Sequence, residues 1–269
     1  MKSADSDPQP EASKAVTYAS YLRVEELLEL QTPASQEHDE MLFIVIHQTY
    51  ELWFRQLLHE LDYACALLRR GDTPRVLHTF KRMLTILKTV VAQVDVLETM
   101  TPLEFNSFRD RLGASSGFQS HQFRELEFAL GYKRVGILKG HFEGEPGRLR
   151  LEARYHAPTL WDAFLHYLSL SYAVPADLLE RDITHSVEPS PALQTLLIEV
   201  YRHDPATADV CERLVDFDEG LQELRYRHVK MVERTIGHKV GTGGSAGVDY
   251  LETTLKPLFP DLWEIRSRL

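Results

Sequence analysis

From Tyr18 onward, apolar residues recur at three- and four-residue steps along most of the chain, the spacing of helices that turn one face to a core. A run without Gly or Pro from about Ser35 to Arg70 predicts one long helix. It is closed by Gly71-Asp72-Thr73-Pro74, a stop followed by a new start with Pro in its first turn. The next segment, about Pro74 to Met100, places Leu77, Phe80, Leu84, Leu87, Val91 and Val94 along a single seam, as in a helix bundle. Thr101-Pro102 opens a short helix carrying Phe105, Phe108 and Arg109. Gly113 to Gly117 interrupts the pattern before another helix begins near His121.

Between Gly131 and Pro158 five glycines and weak periodicity predict an irregular or short-helical connection. Helices are expected again over about Trp161 to Tyr172, Pro191 to Arg202, Thr207 to Gly237 and Pro260 to Arg268. No segment alternates with the period of two that strands require, and no repeat stands out. The expected fold is therefore all-α, a bundle with long buried helices. Residues 1–15, rich in Ser, Asp and Pro, are expected to be disordered, and residues 16–269 to form one helical domain.

Composition narrows the function classes. With 43% hydrophobic and 26% charged residues, the 269-residue chain can build a sizeable core. A formal net charge of −10 disfavours binding to nucleic acid or an anionic membrane, and no basic patch offsets it. The longest basic cluster, Arg225 to Lys230, reads as the wet side of a helix. Two cysteines, Cys65 and Cys211, lie in helical stretches without CxxC spacing and read as free core thiols of a reducing compartment. No apolar run is long enough to span a bilayer and the N-terminus lacks a signal-peptide core, so a cytoplasmic protein is expected.

Two histidines stand where packing alone would place an apolar residue. Phe43, His47, Tyr50 and Phe54 share one face of the first long helix, and the neighbouring face (Leu42, Ile46, Trp53, Leu57) is also largely apolar. His47 is either a satisfied core histidine or part of a site. In the helix near the C-terminus, Leu214, Phe217, Leu221, Leu224, His228 and Met231 follow one seam. An imidazole there with an unsatisfied nitrogen costs on the order of 1–3 kcal/mol, so that nitrogen calls for a partner. A haem iron would serve, and so would a buried carbonyl or hydroxyl.

The run Gly237 to Gly247 contains G-x-G-x-x-A but follows a helix, which removes the strand-first context of a dinucleotide site. It is either a surface linker or a mobile loop that closes on a ligand and offers the Thr242 hydroxyl. Arg109, beside Phe105 and Phe108, suits a bidentate grip on a carboxylate, or else a surface ion pair with Glu104 or Asp110. His59-Glu60 does not extend to a zinc-protease motif. His38-x-Glu40 lies in the first turns of a helix, where a capping role is expected.

Three strings carry a resemblance: FIVIHQTYELWFRQLLHEL from Phe43, TPLEFNSFRDRLGASSGFQSHQFRELE from Thr101, and RYRHVKMVERTIGHKVGTGGSAGVDYL from Arg225. In this order they closely resemble the tryptophan 2,3-dioxygenases, from about Tyr18 to Leu251, with weaker similarity between about Gly131 and Thr207. The resemblance implies an enzyme that uses O2 to open the indole ring of L-tryptophan to N-formyl-L-kynurenine, the first step of tryptophan catabolism. It implies one haem b per subunit, with His228 as the iron ligand and His47 as the distal histidine facing the indole N–H. Phe43 and Phe105 would line the indole pocket, Arg109 would hold the carboxylate, Thr242 would meet the ammonium group, and Ser115, Ser116 and Gly117 would lie at the haem edge. It further implies a homotetramer in which Tyr18 and Tyr21 complete a neighbour's pocket.

This chain has Phe where some members have Tyr at position 105, and Ala246 where the glycine-rich loop often has Ser. Two other readings stay open on sequence: a haem indole mono-oxygenase on the same scaffold, and a cofactor-free helical scaffold.

Overall fold

The structure, a computed structural model, describes residues 15–113, 119–140, 146–237, 239 and 251–269. Among them there are helices and no strands, in keeping with the all-α expectation. Two short helices, α1 (Tyr18–Leu22) and α2 (Val24–Leu28), precede the long α3 (His38–Arg69) and α4 (Thr73–Leu97). Short helices α5 (Pro102–Arg109), α6 (His121–Ala129), α7 (Gly136–Gly140), α8 (Pro146–Tyr155), α9 (Leu160–Ser169) and α10 (Ala176–Leu179) follow. Then come α11 (Pro191–His203), the long α12 (Pro205–Ile236) and α13 (Pro260–Glu264), which runs into a 3₁₀ turn over Ile265–Arg268. The expected disordered segment lies outside the described residues apart from its last residue.

Helix starts are written locally. Asp72, Ser120, Ser190 and Asp204 each accept the backbone N–H three residues on, and Thr101 with Glu104 and Thr159 with Asp162 form capping boxes. Pro follows the cap of α4, α5, α11 and α12. At α3 the cap departs from the usual form. Buried Glu40 reaches back past the N-cap Glu37 to the N–H groups of Ala34 and Ser35, at 2.7 and 2.8 Å. The hydrogen bond from the Ser35 hydroxyl is the first cause that holds its carboxyl below the usual range. Glu40 thus braces the chain that enters α3, and the capping role expected of His38-x-Glu40 is corrected: among the described residues no side chain caps the first turn of this helix.

Helix α4 lies between α3 and α12, the most extensive packing in the molecule. Its buried positions include Val76, Phe80, Met83, Leu87, Val90, Val91 and Val94, so four of the six seam residues read from sequence are buried, whereas Leu77 and Leu84 are only half-buried. The seam read from sequence is therefore rotated toward Val76 and Val90, because a helix gripped on two sides buries an arc and not a line. Where α12 crosses α4, a Cβ at Gly220 would meet Leu87 at 2.7 Å. The glycine permits the close approach despite its cost in a helix interior.

The stretch expected to be irregular or short-helical contains the short helices α7 and α8, the latter of ten residues. The end of α8 is closed by Lys133, whose ammonium donates to the carbonyls of Arg154, Tyr155 and Ala157 at 2.7–3.0 Å. Helix α9 stops at Ser169, three residues short of the expected end, and the last helix tightens to 3₁₀ after Glu264. Cys65 and Cys211 are buried free thiols, as expected, and burial pushes the Cys65 thiol up to about 12.

Candidate active site

The two longest helices each bring one histidine toward a second, smaller apolar cluster. That cluster is built on Ile46, Leu97, Met100, Phe105 and Phe108, with Phe43, Tyr50 and Met231 against it. Its members come from α3, α4, α5 and α12, so residues far apart in sequence meet at one end of the bundle.

His47 is half-buried on α3. Its Nδ1 lies 2.7 Å from the Phe43 carbonyl oxygen, which can only accept, so Nδ1 carries the proton and Nε2 is left as an acceptor. Burial lowers its pKa, and the Phe43 carbonyl and Glu51 oppose this only in part, so the ring is neutral near pH 7. Phe43 stacks on it at 4.1 Å between centroids, and Phe43, Phe105 and Phe108 meet pairwise at 5.6–5.9 Å. Phe105 and Phe108 are buried. An aromatic wall of this kind offers a flat, apolar surface to a planar ligand.

The seam of α12 is closed from Leu214 through Phe217, Leu221 and Leu224, and opens at His228. The His228 ring is exposed by surface area, yet enough protein surrounds it that burial pulls its pKa down to about 4, with His47 and Arg124 acting in the same direction. The two histidine-bearing helices meet at one cluster, to which α3 contributes Phe43 and Tyr50 and α12 contributes Met231, one turn beyond His228. Among the described residues nothing hydrogen-bonds the His228 imidazole. A neutral imidazole with open lone-pair surface suits coordination to a metal such as haem iron.

Arg109 is half-buried at the end of α5, four residues after Phe105 and therefore on the same side of that helix. Glu104, one of its candidate partners, is engaged by the Thr101 N–H at 2.7 Å in the capping box. Tyr18 and Tyr21 stand on α1 with 78% and 77% of their surface exposed. Ser115, Ser116, Gly117 and Thr242 lie outside the described residues.

One reading of the basic cluster is corrected. Arg225 is 5% exposed and not on the wet side of α12. It bonds Glu127 at 3.0 Å and the Thr254 carbonyl at 2.8 Å. Arg227 pairs with Asp95 and Glu98 of α4 and Lys230 with Glu233, as solvated positions do. The signal was present in the spacing: Arg225 is four residues after Leu221 and three before His228, on the buried seam.

A cavity of about 310 Å³ lies elsewhere, lined by Thr73, Tyr167, Asp204 and Thr207 among others. It sits at the start of α12, about 30 Å from His228 at 1.5 Å per residue. Its hydroxyls already pair with one another and with Asp204, at 2.7–3.4 Å.

Fold and site together define a class: an all-helical bundle whose two longest helices each carry a neutral histidine beside one shared aromatic cluster, in the manner of bundles that build cofactor sites from inward-facing side chains. Comparison with known proteins gives the family. The model of tryptophan 2,3-dioxygenase matches residues 3–159 and 179–269, and the chain belongs to that family. A tryptophan 2,3-dioxygenase from Herpetosiphon aurantiacus is 64% identical over 260 residues, covering 96% of this chain and all of the relative. Those of Anaeromyxobacter sp. (strain K) and Caulobacter vibrioides are 57% and 44% identical, over 96% and 94% of this chain and 97% and 98% of their own lengths. The unmatched interval, 160–178, falls within the stretch where sequence similarity was weakest, and the match extends past Leu251 to the C-terminus.

Proposed function

We infer that the chain is a haem-dependent dioxygenase that inserts both atoms of O2 across the indole C2–C3 bond of L-tryptophan, giving N-formyl-L-kynurenine. The observation that carries this is the His228 imidazole, neutral and without a hydrogen-bond partner among the described residues, on the seam of α12 one turn before Met231, which packs on the cluster that Phe43 and Tyr50 of α3 also join. In this reading His228 holds one haem b per subunit, which when bound supplies the activation of O2 that no amino-acid side chain provides.

The protein's own contribution is placement. His47, with its proton fixed on Nδ1, keeps Nε2 as an acceptor for the indole N–H, so the indole is oriented by a hydrogen bond that exists only with a neutral ring. Phe43 and Phe105 form the slot against which the indole lies and keep water from its reacting edge. Arg109 grips the α-carboxylate with paired donors, and Thr242 meets the ammonium group. Ser115, Ser116 and Gly117 border the haem. Holding one substrate face in this way converts a bimolecular encounter into a positioned one, which lowers the entropic part of the barrier.

The exposed tyrosines of α1 suit the homotetramer the family implies, with Tyr18 and Tyr21 closing a neighbour's pocket; a single chain leaves both without cover. Among the described residues no helix is long and apolar enough to cross a membrane, and a cytoplasmic location fits the two buried free thiols.

Protein purified from haem-replete cells should show a Soret band, and with L-tryptophan and O2 should give N-formylkynurenine carrying two atoms of labelled oxygen without added reductant. A product with one labelled oxygen, or a well-folded colourless protein, would overturn the reading.

A further inference from the structure

One buried carboxylate gathers three arginines from different parts of the chain. Glu127 on α6 is 1% exposed. Its Oε2 accepts from Arg124, also on α6, and from Arg134 in the following turn, both at 2.7 Å, while its Oε1 accepts from Arg225 of α12 at 3.0 Å. Burial alone would raise the Glu127 carboxyl, but Arg124, Arg134 and Arg225 outweigh it and hold the group ionised. Arg225 uses its other terminal nitrogen on the Thr254 carbonyl at 2.8 Å, and its guanidinium lies 5.2 Å from the centre of the Tyr132 ring.

The location makes this more than a stability feature. Arg225 is one turn before His228, so whatever fixes its guanidinium fixes the rotation of the turn that presents the imidazole. On its opposite flank that part of α12 is held by Arg227 to Asp95 and Glu98, and by Arg234 to Glu98 at 3.5 Å; these arginines are more exposed and less constrained. Thr254 lies twelve residues beyond Thr242, and α6 begins four residues beyond Gly117. The Glu127 cluster therefore joins the helix of the proposed iron ligand to chain that follows both segments proposed to border haem and substrate.

We propose that Glu127 is a positioning residue that acts through Arg225 to set the orientation of His228 and to tie that turn of α12 to the chain following the glycine-rich segment. This rests on the haem reading given above. Groups that hydrogen-bond a metal ligand directly change metal affinity by about 10- to 100-fold when removed, and that range is the ceiling for a pair that fixes the ligand's turn without touching its ring.

The test compares Glu127→Gln, Glu127→Asp, Arg225→Lys and Arg134→Gln in the haem-loaded protein. Haem dissociation is read by transfer to excess apomyoglobin, and the iron–imidazole stretching frequency by resonance Raman of the ferrous form. Arg225→Lys keeps the charge but cannot span both Glu127 and Thr254. It should speed haem loss by up to about 10- to 100-fold and shift the stretch, as should Glu127→Gln if it folds, with Glu127→Asp recovering part of both. Arg134→Gln touches the same carboxylate but not α12, so it should lower Tm while leaving haem loss and the stretch unchanged. Arg225→Lys and Arg134→Gln changing Tm alike, with the stretch constant in both, would overturn the proposal and leave the haem reading intact. A wild-type chain that takes up no haem would overturn both.

Discussion

The two ends of α12 treat buried polarity in opposite ways. Within its first half, just before the middle, Asp218 is fully buried and accepts from the backbone of Leu258 and Phe259, from the Trp263 indole N–H and from Gln222, at 2.8–3.1 Å. Nearby, Tyr167, Thr73, Thr207 and Asp204 pair among themselves around a cavity. About 15 Å further along the axis the same seam reaches His228, which has no such partner among the described residues and whose ring is open. A structural polar group is one whose hydrogen-bonding capacity the fold has consumed, whereas a ligand residue is one for which the fold has shaped the surroundings and withheld the partner.

The most severe way to probe that contrast is to remove a group from each end. His228→Ala should abolish the Soret band and turnover while leaving the far-UV spectrum and cooperative unfolding of the haem-free protein close to wild type, because the ring supports little packing. Asp218→Ala should do the reverse. It strands four donors, the buried N–H groups of Leu258 and Phe259 and the half-buried side chains of Trp263 and Gln222, which at roughly 1–3 kcal/mol for each buried one amounts to a loss of about 3–5 kcal/mol, measured by urea unfolding, while the molecules that remain folded bind haem normally. Equal loss of stability in both variants would erase the distinction.

Arg109→Leu sharpens the comparison within the open end. A charge-assisted carboxylate contact contributes about 2–3 kcal/mol, so KM for L-tryptophan should rise roughly 30- to 150-fold with haem content unchanged. An unchanged KM would remove Arg109 from the substrate site.

Most of the fold was legible in the sequence because it is built from long periodic segments with explicit caps. Asp72, Thr101, Ser120 and Ser190 stand at the starts of their helices, and the all-α expectation followed directly. What periodicity could not give was the centre of each buried arc. That depends on how many neighbours a helix has, and so α4 is rotated from the seam read for it. The bounds of α8 could not be read within the irregular or short-helical stretch since its stability is tertiary: Lys133, thirteen residues upstream, closes its end. At the site, His47, His228 and Phe105 were visible as seam residues of the wrong or right chemistry. Arg225 was misassigned because a basic run looks solvated until its acidic partner is found, and Glu127 lies 98 residues away.

The two buried carboxylates also differ in the sign of their response to acid. Glu127 titrates below an unfolded carboxyl, so its stabilisation is complete above the unfolded pKa, about 4.3, and is lost as pH falls through the lower folded value. Asp218 titrates above its unfolded value, since burial outweighs its donors, so its contribution is most favourable below the unfolded pKa and is lost as pH rises through the folded one. Between pH 5 and 3 the stability gap between wild type and Glu127→Gln should narrow, and that between wild type and Asp218→Asn should move in favour of wild type. Parallel slopes would show that one environment governs both groups.

The mildest change lies at the closed end. Tyr167→Phe removes a hydroxyl 2.7 Å from Thr73 and 3.4 Å from Thr207, and both partners keep alternatives: Thr207 still donates to Asp204 at 2.7 Å, and Thr73 lies beside the cavity, where water can reach it. The loss should be about 1 kcal/mol, a fall of a few degrees in Tm, with haem affinity and KM untouched. A shift in KM from so distant a hydroxyl would mean that the closed end of α12 communicates with the open one, and the division drawn between them would have to be abandoned.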